Sequence, residues 1–81
     1  MEISKGCSKA LRNMINERIK YRSGPQIIEF FNQFGLNKEY QWGGSPSRWK
    51  ITDDILEEIN GTEIMDRCIE TLFHMKVTKW F

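Results

Sequence analysis

The sequence predicts an all-α protein: a compact bundle of about four short helices with an aromatic Gly/Pro loop and a sharp helical corner. Three observations carry that reading. Apolar residues recur at three- and four-residue spacing in residues 7–19, 27–34 and 51–73, the mark of helices that bury one face. Start and stop residues punctuate those stretches: Ser23 with Pro25, then Gly35, Thr52, Asn60-Gly61 and Thr62. The chain has 81 residues, which allows one domain, residues 1–81, and little room for a second.

The first helix is expected from about Ser4 or Ser8 to Tyr21, with Cys7, Leu11, Met14, Ile15 and Ile19 as its buried stripe. Ser23-Gly24-Pro25 breaks that pattern. Ser23 can cap a second helix, and Pro25 is tolerated in its first turn because the missing N–H would be unpaired there. This helix is expected over residues 25–34. Ile27, Ile28, Phe30, Phe31 and Phe34 cover so much of its circumference that it reads as the central, most buried element. Gly35 is its left-handed stop.

Residues 36–51 form the aromatic loop, least regular over 36–47, where Gly43-Gly44 and Pro46 forbid a regular element. Tyr40 and Trp42 are large enough to pin it to the domain, and Arg48-Trp49 would re-enter order in a short helical turn. The loop reads either as a packed connection or as a recognition surface presenting Trp42, Arg48 and Trp49.

Thr52 is the expected N-cap of the third helix, with Asp53 and Asp54 in its first turn and Ile51, Ile55, Leu56 and Ile59 buried. Asn60-Gly61 ends it, and Thr62 caps the fourth helix at once. Ile64, Met65, Cys68, Ile69, Leu72 and Phe73 give that helix its apolar stripe. The short join requires a sharp angle, as in a helical corner or helix-turn-helix. The apolar ending Trp80-Phe81 either docks on the core or meets a partner or a continuation of the chain.

Composition narrows the function classes. An apolar fraction of 40% with five Phe, three Trp and two Tyr excludes disorder. No apolar run approaches the roughly 18 residues of a membrane span, and the polar start, with Glu2, Lys5 and Lys9, does not read as a signal peptide. A cytoplasmic chain with reduced thiols and no membrane partner is therefore expected.

No reaction chemistry stands out. Cys7, Cys68 and His74 are too few and too scattered for zinc, which takes about four ligands. A Cys68–His74 nucleophile pair would sit on different faces of one helix. Gly43-Gly44-Ser45 lacks the strand before it and the Gly-Lys-Ser/Thr after it that a phosphate loop needs. Asp53-Asp54 and Glu57-Glu58 read as a solvated helix face. No enzymatic activity and no cofactor are expected.

The net charge of +1 hides an uneven distribution. Residues 1–22 carry six basic and two acidic side chains, a balance of +4, and residues 52–70 carry one basic and seven acidic, a balance of −6. A helix-turn-helix reader of DNA wants a basic recognition helix, and the corner here lies in the acidic half. Nucleic-acid contact would then fall to Lys9, Arg12, Arg18, Lys20 and Arg22 of the basic first helix, with tryptophans as stacking surfaces. The two halves can also pair with each other or with a partner chain.

Three segments resemble a known module: Arg22-Ser23-Gly24-Pro25 with Ile28-Glu29-Phe30-Phe31-Asn32-Gln33-Phe34-Gly35, then Gly43-Gly44-Ser45-Pro46-Ser47-Arg48-Trp49, then Asp54-Ile55-Leu56-Glu57-Glu58-Ile59-Asn60-Gly61-Thr62. Their order is similar to a small helical N-terminal module of bacterial abortive-infection and related anti-phage defence proteins, over about residues 22–73. The resemblance implies an adaptor ahead of an effector or sensor domain, with Phe30, Phe31 and Phe34 as core and Arg48-Trp49 and Asn60-Gly61 as fixed corners. The function expected is thus a non-catalytic protein-interaction or adaptor module. Trp42, Arg48, Trp49, Trp80 and Phe81 would meet another protein or effector domain, and a small nucleic-acid-binding protein is the alternative.

Overall fold

A computed structural model describes residues 2–44 and 46–79, with side chains up to His74. Its elements run in the order α1 (Lys5–Asn13), a π-helical segment (Met14–Arg18), α2 (Gly24–Asn32), α3 (Arg48–Ile59) and α4 (Glu63–Lys79). The all-α bundle is therefore the fold, with a radius of gyration of 12.2 Å, close to the value of about 12 Å for a packed chain of this length.

Of the two starts open to α1, Ser4 is the one used: its hydroxyl accepts the Cys7 N–H at 3.2 Å. Leu11 and Ile15 are buried, with Met14 and Ile19 partly so. Cys7, expected in the same stripe, is exposed. The helix also ends earlier than its pattern suggests. After Asn13 the turns widen, with Ile19 N–H donating five residues back to the Met14 carbonyl. This π segment buries neighbouring residues Ile15 and Asn16 together.

Around α2 the sequence rules hold. Ser23 and Gln26 form a reciprocal capping box with Pro25 behind it, which satisfies two N–H groups that a helix start leaves open. Gly35 stops the helix at φ +98°, a conformation that side chains disfavour. Phe30 sits edge-on to both Phe31 and Phe34, at 5.3 and 5.4 Å between ring centres. Gly24 has a separate reason to lack a side chain, because a Cβ there would run into the Tyr40 ring.

The hub of the fold is α3 rather than α2: it packs against α1, the π segment, α2 and α4. The bulk of the phenylalanines made α2 look central, and Phe30, Phe31 and Phe34 are all buried in the core. The start of α3 also differs from expectation. Ser47 precedes the helix, so Arg48-Trp49 is its first turn and Thr52 lies inside it, fully buried. Asp53 and Asp54 accordingly miss the first turn. Inside the helix Thr52 cannot cap, and its hydroxyl instead donates to Asn16 Oδ1 at 2.6 Å. Ile51, Ile55, Leu56 and Ile59 fill the core as expected.

Two asparagines tie backbone segments together, and of the aromatics expected to pin the loop only Tyr40 does so. Asn32 holds the backbone N–H and carbonyl of Lys38, both at 2.9 Å, and so fixes the path of the loop. Tyr40 packs against the core, but Trp42 leans edge-on against Tyr40 at 4.8 Å and is 80% exposed. Asn60 makes the same two-point contact with Ile3, at 2.8 and 3.1 Å, joining the chain's start to the corner after α3. Gly61 turns that corner at φ +82°. Thr62 precedes α4 as expected, with its hydroxyl donating back to the Ile59 carbonyl at 2.6 Å. Met65, Cys68 and Leu72 are fully buried, whereas Phe73 turns outward. No helix among the described residues is long and apolar enough to cross a membrane.

Candidate interaction surface

The site begins at the π segment. Widening a helix breaks its regular carbonyl ladder and leaves acceptors for other donors. Here the Asn16 carbonyl takes two: the Arg22 N–H at 3.2 Å and Arg48 Nη2 at 2.7 Å. Arg48 Nε donates to the Arg22 carbonyl at 2.8 Å, and Nη1 meets Glu17 Oε1 at 3.0 Å. The guanidinium also lies 4.2 Å from the centre of the Tyr21 ring, a stacking arrangement suited to a planar cation. One side chain thereby fastens the start of α3 to the π segment and to the connection before α2.

That knot positions two large aromatics at the surface. Tyr21 is 59% exposed beneath Arg48, and Trp49 is 56% exposed one residue along α3. Trp49 borders an open hollow of about 590 Å³, shared with Arg12, Asn13, Asn16, Glu17 and Arg48. Sequence reasoning singled out Arg48 and Trp49 and missed Tyr21, Asn16 and Glu17. Tyr21 followed directly on the first helix and carried no signal of its own. Trp42 stands on Tyr40, apart from the Arg48 knot. Trp80 and Phe81 lie outside the described residues.

The five basic residues proposed to touch nucleic acid divide. Arg12 reaches across to Asp53 of α3 at 2.8 Å, and Arg22 is buried. Lys9, Arg18 and Lys20 are exposed. The basic and acidic halves of the chain therefore compensate each other in part through Arg12–Asp53, and Lys38 of the loop pairs with Glu58 at 2.7 Å.

Cys68 is fully buried, and burial pushes its thiol up to about 12 from 9.0, against a smaller opposing pull from Arg22. A thiol held protonated at neutral pH is a poor nucleophile. Folding withholds ionisation from Cys68, so its contribution to stability is intact below about pH 9 and is lost as pH rises toward about 12. A thiol-reactive probe at neutral pH should therefore modify Cys7 quickly and Cys68 only through opening of the fold. Mass spectrometry after a short pulse reads this directly, and equal modification of both would refute the packing described for α4. Among the described residues no group of three His, Cys, Asp or Glu side chains could hold a metal ion. No known protein family, curated protein or solved structure matches this chain.

Proposed function

We propose that this chain is a non-catalytic protein-interaction or adaptor module, and that Trp49, with Tyr21 and Arg48, is the centre of its docking face. One observation carries the reading: a large aromatic more than half exposed stands on a backbone that Arg48 fixes from three sides. Binding hot spots favour Trp, Tyr and Arg, and a preset aromatic loses little freedom on docking. The hollow beside Trp49 carries both signs of charge through Arg12, Arg48 and Glu17. It suits a protein surface that offers an apolar side chain ringed by hydrogen-bonding groups. Placement of this adaptor in anti-phage defence, ahead of an effector or sensor domain, rests on the resemblance of residues 22–73.

The test compares quantitative co-purification of the intact chain with that of Trp49→Ala and Phe73→Ala. Both replaced side chains are largely exposed, so both variants should fold. Partner recovery should fall at least about tenfold for Trp49→Ala, the effect of an ordinary hot-spot residue, and stay level for Phe73→Ala. Equal recovery in all three would remove the basis for this face.

A second reading, nucleic-acid binding, draws on exposed Lys9, Arg18 and Lys20 and on Trp49 as a stacking surface. It requires binding to single-stranded DNA or RNA that weakens with salt and on Arg18→Glu. Absence of a fluorescence anisotropy change at low salt would end it.

A further inference from the structure

Arg22 lies inside the domain with only 6% of its surface exposed. One N–H of its guanidinium goes to the Ile15 carbonyl at 2.7 Å, and its flat face rests 4.4 Å from the centre of the Phe30 ring. No carboxylate pairs with it among the described residues. The ionisable group facing it from α4 is the Cys68 thiol, which stays protonated at neutral pH and brings no negative charge. A buried cation without a counter-ion is costly, and burial accordingly lowers the Arg22 pKa from its ordinary value.

Arg22 also lines an open cavity of about 370 Å³, together with Lys20, Gln26, Glu29, Phe30 and Gln33. That volume lies within the range of about 300–1,000 Å³ of small-ligand sites. The capping box turns the Gln26 amide oxygen onto the Ser23 N–H at 2.9 Å, so the NH₂ of that amide is left as a donor. Lys20 and Gln33 add further donors at the rim. Two cations and the single carboxylate of Glu29 leave the cavity one positive charge in excess. The larger hollow between α1 and α3 differs, because Asp53 and Glu57 stand among its cations and Arg12 is already paired.

We propose that this cavity is a binding site for a single carboxylate group, held by Arg22 with Lys20 and the side-chain amides of Gln26 and Gln33. The planar fork of a guanidinium matches the two oxygens of a carboxylate. Phe30 and the Ile15 carbonyl hold that fork still before a ligand arrives, so little ordering is required on binding. One negative charge neutralises the excess in the cavity, whereas a phosphate dianion would overshoot it and face Glu29 as well. The site meets the Arg48 knot at the Arg22 backbone but uses none of the side chains of the aromatic face and does not rest on the docking role given to it.

Sodium acetate is the probe, followed by ¹H–¹⁵N NMR of the Arg22 Nε–H and of the side-chain amides of Gln26 and Gln33. Saturable shifts are expected at all three, with a Kd of about 1–10 mM as befits so small a ligand. Sodium chloride at equal ionic strength should give none. Glu29→Gln should tighten acetate binding about three- to tenfold, and Lys20→Gln should weaken it by a similar factor. Both residues are exposed, so neither variant endangers the fold. Trp49→Ala should leave acetate affinity unchanged, which separates this site from the docking face. An unmoved Arg22 Nε–H at about 50 mM acetate, or the same affinity in Glu29→Gln, would overturn the site. Inorganic phosphate binding as tightly as acetate would overturn its assignment to a carboxylate.

Discussion

Arg48→Ala should destabilise the protein by about 3 kcal/mol, which for a domain of this size is a fall in Tm of roughly 12–24 °C. The effect comes from what the change strands. The carbonyls of Asn16 and Arg22 each lose a charged donor at 2.7 and 2.8 Å, and hydrogen bonds to charged groups contribute about 1.5–3 kcal/mol each before relaxation. The ion pair with Glu17 adds little, because Glu17 is more than half exposed and such pairs contribute about 0–1 kcal/mol. Glu17→Gln should therefore cost under about 0.5 kcal/mol. Arg48→Lys should recover less than half of the loss. An ammonium cannot span both carbonyls while lying flat on Tyr21. Thermal and urea unfolding by circular dichroism decides among these outcomes, and an Arg48→Ala variant within about 1 kcal/mol of the parent would show that the knot is incidental. The same variant frees Tyr21 and Trp49 from their common anchor, so it should weaken docking even though Trp49 is intact.

How much of this was legible beforehand depends on the range of the interaction. Signals that act within four residues were readable: Ser23 with Pro25 starts α2, Gly35 stops it, and Asn60-Gly61 turns the corner. The core positions of α2 and α3 followed from spacing alone. What escaped was set by contacts between distant segments. Thr52 has every local property of an N-cap, yet it lies inside α3, where its hydroxyl donates to Asn16, 36 residues away. Arg22 looked like one more surface cation of a basic segment, and nothing near it in sequence foretold that the Ile15 carbonyl and the Phe30 ring would take it inside. Trp42 looked too large to stay out, but its neighbour Tyr40 fills the space beside Gly24 and leaves it exposed.

The misses at Thr52 and Arg22 share an origin in the π segment. By widening the chain over Met14–Arg18 it turns Asn16 inward beside Ile15, and Asn16 then organises Arg22, Arg48 and Thr52 at once. A polar residue in the middle of an apolar stripe is unfavourable unless every group it carries is satisfied. Asn16 Oδ1 accepts from Thr52, and no buried side-chain polar atom among the described residues lacks a partner. The domain thereby exchanges an ordinary helical turn for a polar centre that sets the start of α3. The aromatic face follows from where α3 starts.

Thr52→Val should then cost about 2 kcal/mol, although it preserves the shape of the side chain and adds no strain. Thr52 is fully buried and Asn16 nearly so. Valine removes the one side-chain donor that meets Asn16 Oδ1, at 2.6 Å, and leaves that oxygen in a dry interior. The contact of the same hydroxyl with the Arg48 carbonyl is longer, at 3.2 Å. The single hydroxyl proton serves the shorter bond, so the loss at Arg48 is small. Asn16→Leu alone should be costly for a different reason, because it places a larger apolar group in the turn. Adding Thr52→Val to Asn16→Leu should then cost far less than Thr52→Val does alone. A coupling of about 1–2 kcal/mol from the four-variant cycle is the expected result. Urea midpoints at constant slope measure it, and additive effects within about 0.3 kcal/mol would mean that the Asn16–Thr52 bond does not hold α3 to the π segment.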